Sequence, residues 1–234
     1  MCDFSFEHYE QCLIKSLELN YNFVTCYEYV KNTKLDKDFY KGKKIIINRV
    51  DLDYCCKRAK KISLIFDKLR VVGTFFVRLH ADYNPYSFEN YLCLKDISEN
   101  HEIGYHSEII DCSKIWNEET KSILMKDIKI LNEMLDIKIN GIASHGGITG
   151  YNNLDFWKEH SPSEFNLEYE AYDSILFDRS FYTSLLLLTG WKCYDKGILV
   201  IDDKRCFCEH LDQGHELIYC NIHPIKLYER HPYE

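Results

Sequence analysis

The chain lacks several features that would have assigned it at once. No apolar run approaches the roughly 20 residues needed to span a bilayer, and the longest, Leu185 to Leu188, suits a piece of a core element. The opening residues, MCDFSFEHYE, hold no charged-then-apolar export segment, so a cytoplasmic protein is expected. Glycine and proline are few, 10 and 4 in 234 residues, far from collagen-like or disordered compositions. Positive charge is in deficit: 29 Lys and Arg against 37 Asp and Glu leave −8. That balance argues against a general nucleic-acid binder, which needs clustered cations facing phosphates. No GxSxG, GxxxxGK(S/T) or GxGxxG occurs, which removes the common serine-hydrolase and nucleotide-fold signals. CxxC is also absent; Cys55-Cys56 and Cys206-x-Cys208 are the nearest approaches, which argues against a structural zinc site.

Cysteine itself is plentiful. Eleven thiols form an odd set in a chain without an export segment, so they are read as reduced and mostly buried. None sits beside a His in a glycine-containing turn, so none reads as a nucleophile. With 46% hydrophobic and 28% charged residues, the chain is globular. A body of this size buries roughly 70% of its extended surface, enough for a substantial core.

Apolar periodicity alternates between two types. Lys43-Lys44 leads into Ile45-Ile46-Ile47, a buried strand that runs on to Asp51 and Asp53. Cys56 to Leu69 places Ala59, Ile62, Ile65, Phe66 and Leu69 at helical spacing. Val71 to Val77 reads as a second strand, Ser87 to Asn100 as helix, and His101 to His106 as a third strand. Asn117 to Leu135 is an amphipathic helix, and Ile139 to Ser144 a fourth strand. Residues 150 to 190 are irregular, and the last strands are Gly197 to Asp202 and Leu217 to Ile222. Glu7 to Val30 is compatible with helix. Strand and helix in alternation predict βαβ units around a parallel sheet or barrel. The expected organisation is an N-terminal helical extension, 1–40, packed on one domain, 41–234.

Ionisable residues recur at the strand ends. Asp51 and Asp53 follow the first strand, His106 the third, His145 the fourth and His223 the last. Parallel α/β folds bind ligands outside the carboxyl ends of their strands. Two residues apart on a strand, Asp51 and Asp53 face the same way, and two carboxylates held close need a cation or a shared proton. The pattern is equally compatible with one Asp capping the next helix and the other solvated. His106 and His145 offer imidazoles suited to zinc or cobalt, and Asp111 is a further oxygen ligand near His106. Gly146 and Gly147 permit close backbone approach, for a ligand or merely a tight turn.

These motifs in this order resemble the polysaccharide deacetylase superfamily, carbohydrate esterase family 4 and its relatives. The residues carrying the resemblance are Arg49-Val50-Asp51-Leu52-Asp53, Gly73-Thr74-Phe75-Phe76 and His101-Glu102-Ile103-Gly104-Tyr105-His106. Tyr83-Asn84-Pro85-Tyr86-Ser87, Ser144-His145-Gly146 and His223-Pro224 add to it, and the bacterial branch whose first motif reads Arg-His-Asp-Val-Asp is the most similar. The resemblance runs from about residue 45 to 226 and implies a distorted (β/α) barrel. It also implies metal-dependent removal of an acyl group, N-acetyl first among them, from an amino sugar in a glycan precursor or a nucleotide-linked sugar.

By the same resemblance Asp51 is the general base and His223 the general acid. Asp53, His106 and His145 hold the metal, zinc in the first instance, with cobalt, nickel or manganese as alternatives. Arg49, Tyr105, Gly146 and Asn84 would bind substrate. Two departures stand out: Val50 replaces the branch's first-motif His, and Ile110 replaces the second His of the common second motif. They leave His145 or Asp111 to complete the metal set, and His145 is favoured. They also motivate a second reading, a non-catalytic carbohydrate-binding or assembly protein on an inherited deacetylase fold. A third is a metal hydrolase of another small-molecule amide or formyl group. No nucleic-acid partner or membrane span is expected, and oligomeric state is not legible.

Overall fold

In a computed structural model, residues 4–187 and 190–229 are described. Cys2, Leu188, His231 and the end of the aromatic-rich tail at Tyr233 lie outside them.

Helix α1 (Phe6–Glu18) starts where Ser5 Oγ accepts the His8 N–H. Strand β1 (Asn22–Val24) follows, then α2 (Cys26–Leu35), whose Thr25 cap accepts the Glu28 N–H. Residues Glu7 to Val30 are therefore not one helix. The chain turns at Asn20, in the left-handed region, and spends three residues in the sheet.

Strand β2 (Ile45–Leu52) leads to α3 (Cys56–Leu69), β3 (Thr74–Val77), α4 (Phe88–Asn100) and β4 (Glu102–Ser107). Then come α5 (Ile109–Trp116), α6 (Thr120–Leu135), β5 (Gly141–Ser144) and β6 (Tyr169–Glu170). Two short 3-10 turns, Asn153–Lys158 and Pro162–Phe165, precede β6. Strands β7 (Phe181–Leu187), β8 (Gly190–Asp195) and β9 (Ile198–Leu199) precede α7 (Phe207–Leu211) and β10 (Leu217–Ile222). The expected strand over Gly197 to Asp202 shrinks to the two residues of β9. Strand β7 was not expected, because FYTSLLL within the irregular segment shows neither strict alternation nor flanking breakers.

The sheet order is β6-β5-β4-β3-β2-β10-β7-β8-β9, parallel from β6 to β7, with antiparallel β8 and β9 at one edge. Strand β1 pairs with the first residues of β2, below the point where β3 takes over the same edge. Among the described residues no pairing joins β6 to β9, so the sheet is an open path rather than a strand-closed barrel. It nevertheless curls: the rings of Phe76 on β3 and Tyr169 on β6, three strands apart, lie 6.4 Å between centroids.

Strand β2 shows why the curl is stable, for all eight of its residues are buried. Ile46, Val50 and Leu52 point outward into the larger core, shared with α1, α3, α4 and α6. Ile45 and Ile47 point inward to an aromatic cluster that includes Phe76, Tyr169, Tyr182 and Tyr219. Alternation on a strand buried on both faces yields two cores. The N-terminal helix α2 caps the inner one: its Cys26 and Tyr27 N–H groups donate to Thr74 Oγ1 at 2.8 Å and Glu102 Oε2 at 3.0 Å. Those are the unpaired donors of a helix start, placed against a carboxylate. Among the described residues no helix is long and apolar enough to cross a membrane.

Gly104 lies on β4 against the Phe76 ring, and a Cβ there would overlap that ring and meet Gly141 O at 3.1 Å. Gly104→Ala should therefore destabilise by about 1–3 kcal/mol. Urea unfolding should show a lower midpoint with an unchanged slope; an unaltered midpoint would mean the curl tolerates a wider β4.

Candidate active site

Inward alternation along β2 carries on from Ile45 and Ile47 to Arg49 and Asp51, with Asp53 just beyond the strand end. Arg49 is fully buried, and its guanidinium grips Asp51 by two hydrogen bonds, Nε to Oδ1 at 2.8 Å and Nη2 to Oδ2 at 2.9 Å. It lies over the Tyr172 ring, 4.5 Å from the centroid, with Phe76 at 5.4 Å. Asn221, aligned with Arg49 across the β2–β10 ladder, donates to Asp51 Oδ2 at 3.1 Å. Burial alone would push the Asp51 carboxyl up, but Arg49, His106 and His223 outweigh it and hold Asp51 well below the usual carboxylate range.

Asp53 has a different environment. Its Oδ1 is buried without a hydrogen bond and faces His106 Nε2 at 3.4 Å and His145 Nε2 at 3.6 Å. Burial raises its carboxyl, while contact with His106 and the charge of His223 bring the net value down. His106, at the end of β4, sets its Nδ1 2.8 Å from the Ala143 carbonyl of β5. A carbonyl only accepts, so Nδ1 carries the proton, and in the neutral ring Nε2 is left with a lone pair toward Asp53. Burial pulls the His106 imidazole down, but the two carboxylates raise it overall. Burial and the neighbouring His106 and Arg78 charges lower His145.

One ligand atom from each of Asp53, His106 and His145 lies within 4.8 Å of the others. Two imidazoles and one carboxylate are the donor set of zinc-type catalytic sites with three protein ligands. An orphaned buried carboxylate oxygen aimed at two imidazole nitrogens is what such an ion would satisfy, so these residues fit a divalent metal.

His223 completes the mouth from the end of β10. Its Nδ1 donates to Leu185 O at 3.1 Å, and its Nε2 stands 3.7 Å from Asp51 Oδ2 and 3.9 Å from Asp53 Oδ2. Burial lowers it, against the pull of both carboxylates.

Asp111 is spent elsewhere. It accepts from the backbone N–H groups of Ile148 and Thr149, from Thr149 Oγ1 at 2.6 Å and from Asn153 Nδ2 at 2.7 Å, fixing the loop after His145. Three of the expected substrate contacts also have other duties. Tyr105 is buried in the outer core and donates to Asp127 of α6, because β4 alternates it away from His106. Asn84 builds a turn, accepting the Tyr86 N–H at 2.9 Å. Arg49 is buried behind Asp51 rather than open to the mouth. Gly146 is exposed beside His145 with open space where a Cβ would stand, and the tight turn belongs to Gly147, whose Cβ would strike Tyr151 O.

Other residues of the site escape a motif reading. Arg78 makes two hydrogen bonds to Glu108 and donates to Asp53 O at 3.1 Å. Glu108 Oε1 lies 3.4 Å from His145 Nδ1. Glu170, on β6, accepts from Ser144 N at 2.9 Å and Tyr172 N at 2.5 Å, joining the backbone before His145 to the ring over Arg49. Glu108 and Asn221 had a signal, each two residues from a site His on the same strand line. Arg78 and Glu170 had none. A separate cavity of about 600 Å³, lined in part by Tyr29, Tyr40, Lys43 and Arg179, opens near Ile45 and Leu217 at the opposite ends of the strands.

Compared with known proteins, the chain matches no family model and no curated protein. Among solved structures it is similar to that described as a Streptococcus mutans CE4 esterase, with 13% identity and a TM-score of 0.49. The match covers 82% of this chain and 79% of that chain.

Removing the cation of a buried pair leaves an uncompensated carboxylate, so Arg49→Leu should cost about 3–5 kcal/mol. The double variant Arg49→Leu/Asp51→Leu should recover much of it in urea unfolding, and equal losses would deny the pair its role. Burial pushes the Glu170 carboxyl from 4.5 up to about 7. Its contribution to stability is thus present in full below the unfolded value and lost as pH rises through the folded one. Glu170→Gln should flatten the fall in stability between about pH 4.5 and pH 7, and a slope identical to wild type would refute the assignment.

Proposed function

We propose that the chain is a metal-dependent hydrolase of a non-peptide C–N bond, removing an acyl group, N-acetyl in the first instance, from an amino sugar. The sugar would belong to a glycan precursor or be nucleotide-linked. The observation that carries this reading is the Asp53 Oδ1 without a hydrogen bond, facing Nε2 of both His106 and His145, beside a second carboxylate already neutralised by Arg49. The ordered motifs resembling polysaccharide deacetylases supply the substrate class.

Asp53, His106 and His145 would hold the ion, zinc first. When bound, it polarises the acyl carbonyl and lowers the pKa of water beside it. Asp51, ionised at any working pH, takes the proton from the attacking water. His223 presents Nε2 3.7 Å away, and the Asp51 charge stabilises its protonated form. From Nε2 the proton goes to the leaving nitrogen, so that amine rather than amide departs. Arg49 and Asn221 hold the Asp51 carboxylate in place throughout.

The non-catalytic reading drew on Val50 and Ile110. Val50 faces the outer core, opposite Asp51, and Ile110 is partly buried against the same core. Both residues pack against the core, and Asp53, His106 and His145 converge without them.

Acetate release from a panel of N-acetylated sugars, with Zn²⁺ or Co²⁺ supplied, tests the proposal. Asp51→Asn should keep its metal and lose about 10²–10⁴-fold in turnover. His145→Ala should lose metal affinity where Asp111→Ala does not. Chelation should abolish activity and metal readdition restore it. A metal-loaded protein silent across the panel would sink the deacylase reading.

A further inference from the structure

Two of the candidate metal ligands come from strands that are not neighbours. Asp53 follows β2 and His145 follows β5, and β3 and β4 run between them. Each intervening strand places one charged side chain just past its end, Arg78 after β3 and Glu108 after β4. Their side chains are only 8% and 4% exposed. Buried charges need a partner with good geometry, and these two have each other. Arg78 Nε donates to Glu108 Oε2 at 3.0 Å, and Nη2 donates to Oε1 at 2.5 Å.

The pair also reaches outward at both ends. Arg78 Nη1 donates to the Asp53 carbonyl at 3.1 Å, and Glu108 Oε1 stands 3.4 Å from His145 Nδ1. His145 Nε2 in turn faces Asp53 Oδ1 at 3.6 Å. These contacts close a ring through four adjacent strand ends: Asp53, Arg78, Glu108 and His145.

The ring has a chemical consequence at His145. A neutral imidazole offers Nε2 to an ion only when its proton sits on Nδ1, and the partner of Nδ1 decides that. At His106 the Ala143 carbonyl is this partner. His145 Nδ1 is buried without a hydrogen bond, and the acceptor it faces is Glu108 Oε1. A carboxylate paired with a guanidinium accepts and does not donate. A ring displacement of about 0.2 Å brings the contact into the ordinary N–H···O range.

Arg78 also leaves the ligand atom of Asp53 alone. It takes the backbone carbonyl, while Oδ1 stays without a hydrogen bond. The contrast is with Cys193, Asp203 and His210, which also converge. There the Arg205 guanidinium takes both Asp203 oxygens, at 3.0 and 2.8 Å, so the carboxylate already has its cation.

We propose that Glu108 is the positioning residue of His145, resting on the reading of Asp53, His106 and His145 as metal ligands. Held by Arg78, it accepts the Nδ1 proton and so aims the Nε2 lone pair at Asp53. Arg78 fixes the far side of the ring at the Asp53 backbone, and the pair thereby sets the spacing of ligands from β2 and β5.

Zinc affinity of the full chain, stripped with chelator and titrated against a chromophoric competitor, tests this. Glu108→Ala should bind Zn²⁺ about 10–100-fold more weakly than wild type, with unchanged circular dichroism. Glu108→Gln keeps an acceptor oxygen of the same reach and should lose less. Should Glu108→Ala not fold, magnetic resonance of zinc-loaded wild-type protein with isotope-labelled histidine should show a His145 Nδ1–H protected from solvent exchange. Equal affinity in folded Glu108→Ala, a loss as large in Glu108→Gln, or a freely exchanging Nδ1 proton would overturn the proposal and leave the metal site standing. Wild-type protein without zinc affinity would sink the hydrolase reading and this one together.

Discussion

The buried ion pair between Arg49 and Asp51 constrains everything at the mouth. Neither side chain has meaningful contact with water, at 0% and 2% exposure. Desolvating both is expensive, and the attraction offsets that cost only when geometry is good and the other polar atoms are satisfied. The two-point grip, the Tyr172 ring over the guanidinium and the Asn221 amide supply the geometry, although Arg49 Nη1 and Asn221 Oδ1 remain buried without a hydrogen bond. The pair also separates two carboxylates that sequence alone cannot tell apart. Asp51 has its oxygens engaged by Arg49 and Asn221, whereas Asp53 keeps one oxygen turned to two imidazoles. One carboxylate is thereby neutralised by an arginine, and the other is left open to a cation.

The curl of the sheet makes this possible. Inward positions of β2, β3, β6, β7 and β10 bring Ile47, Phe76, Tyr169, Tyr182 and Tyr219 into one aromatic interior. Large rings fit because Gly104 and Gly141 offer bare backbone against Phe76 and Tyr169. At one end α2 and Glu102 close the interior with hydrogen bonds. At the other, the strand ends deliver Asp53, His106, His145 and His223. A dry interior behind the mouth strengthens the electrostatics of the Arg49 pair.

Much of this was legible where a strand's period of two does the work. Arg49, Asp51 and Asp53 share a line, and the strand-end histidines follow apolar runs, so their convergence needed only a parallel sheet. The same period, applied to HEIGYH, would have turned Tyr105 away from His106, toward Asp127. Asn84 in its turn and Asp111 under its loop are local hydrogen-bonding roles that a motif match conceals. Strands β1 and β7 were hidden because their pairing partners, not their own patterns, make them strands.

By itself the amino-acid order determined the parallel α/β plan and the set of Asp and His residues at one end of it. Alternation, helical spacing and motif order are properties of neighbours along the chain, and they survive without coordinates. Tertiary structure alone decided which carboxylate is neutralised and which is left facing imidazoles, and it joined Glu170 and Arg78 to the site. Those outcomes depend on distances between residues remote in sequence, and only the folded sheet sets them.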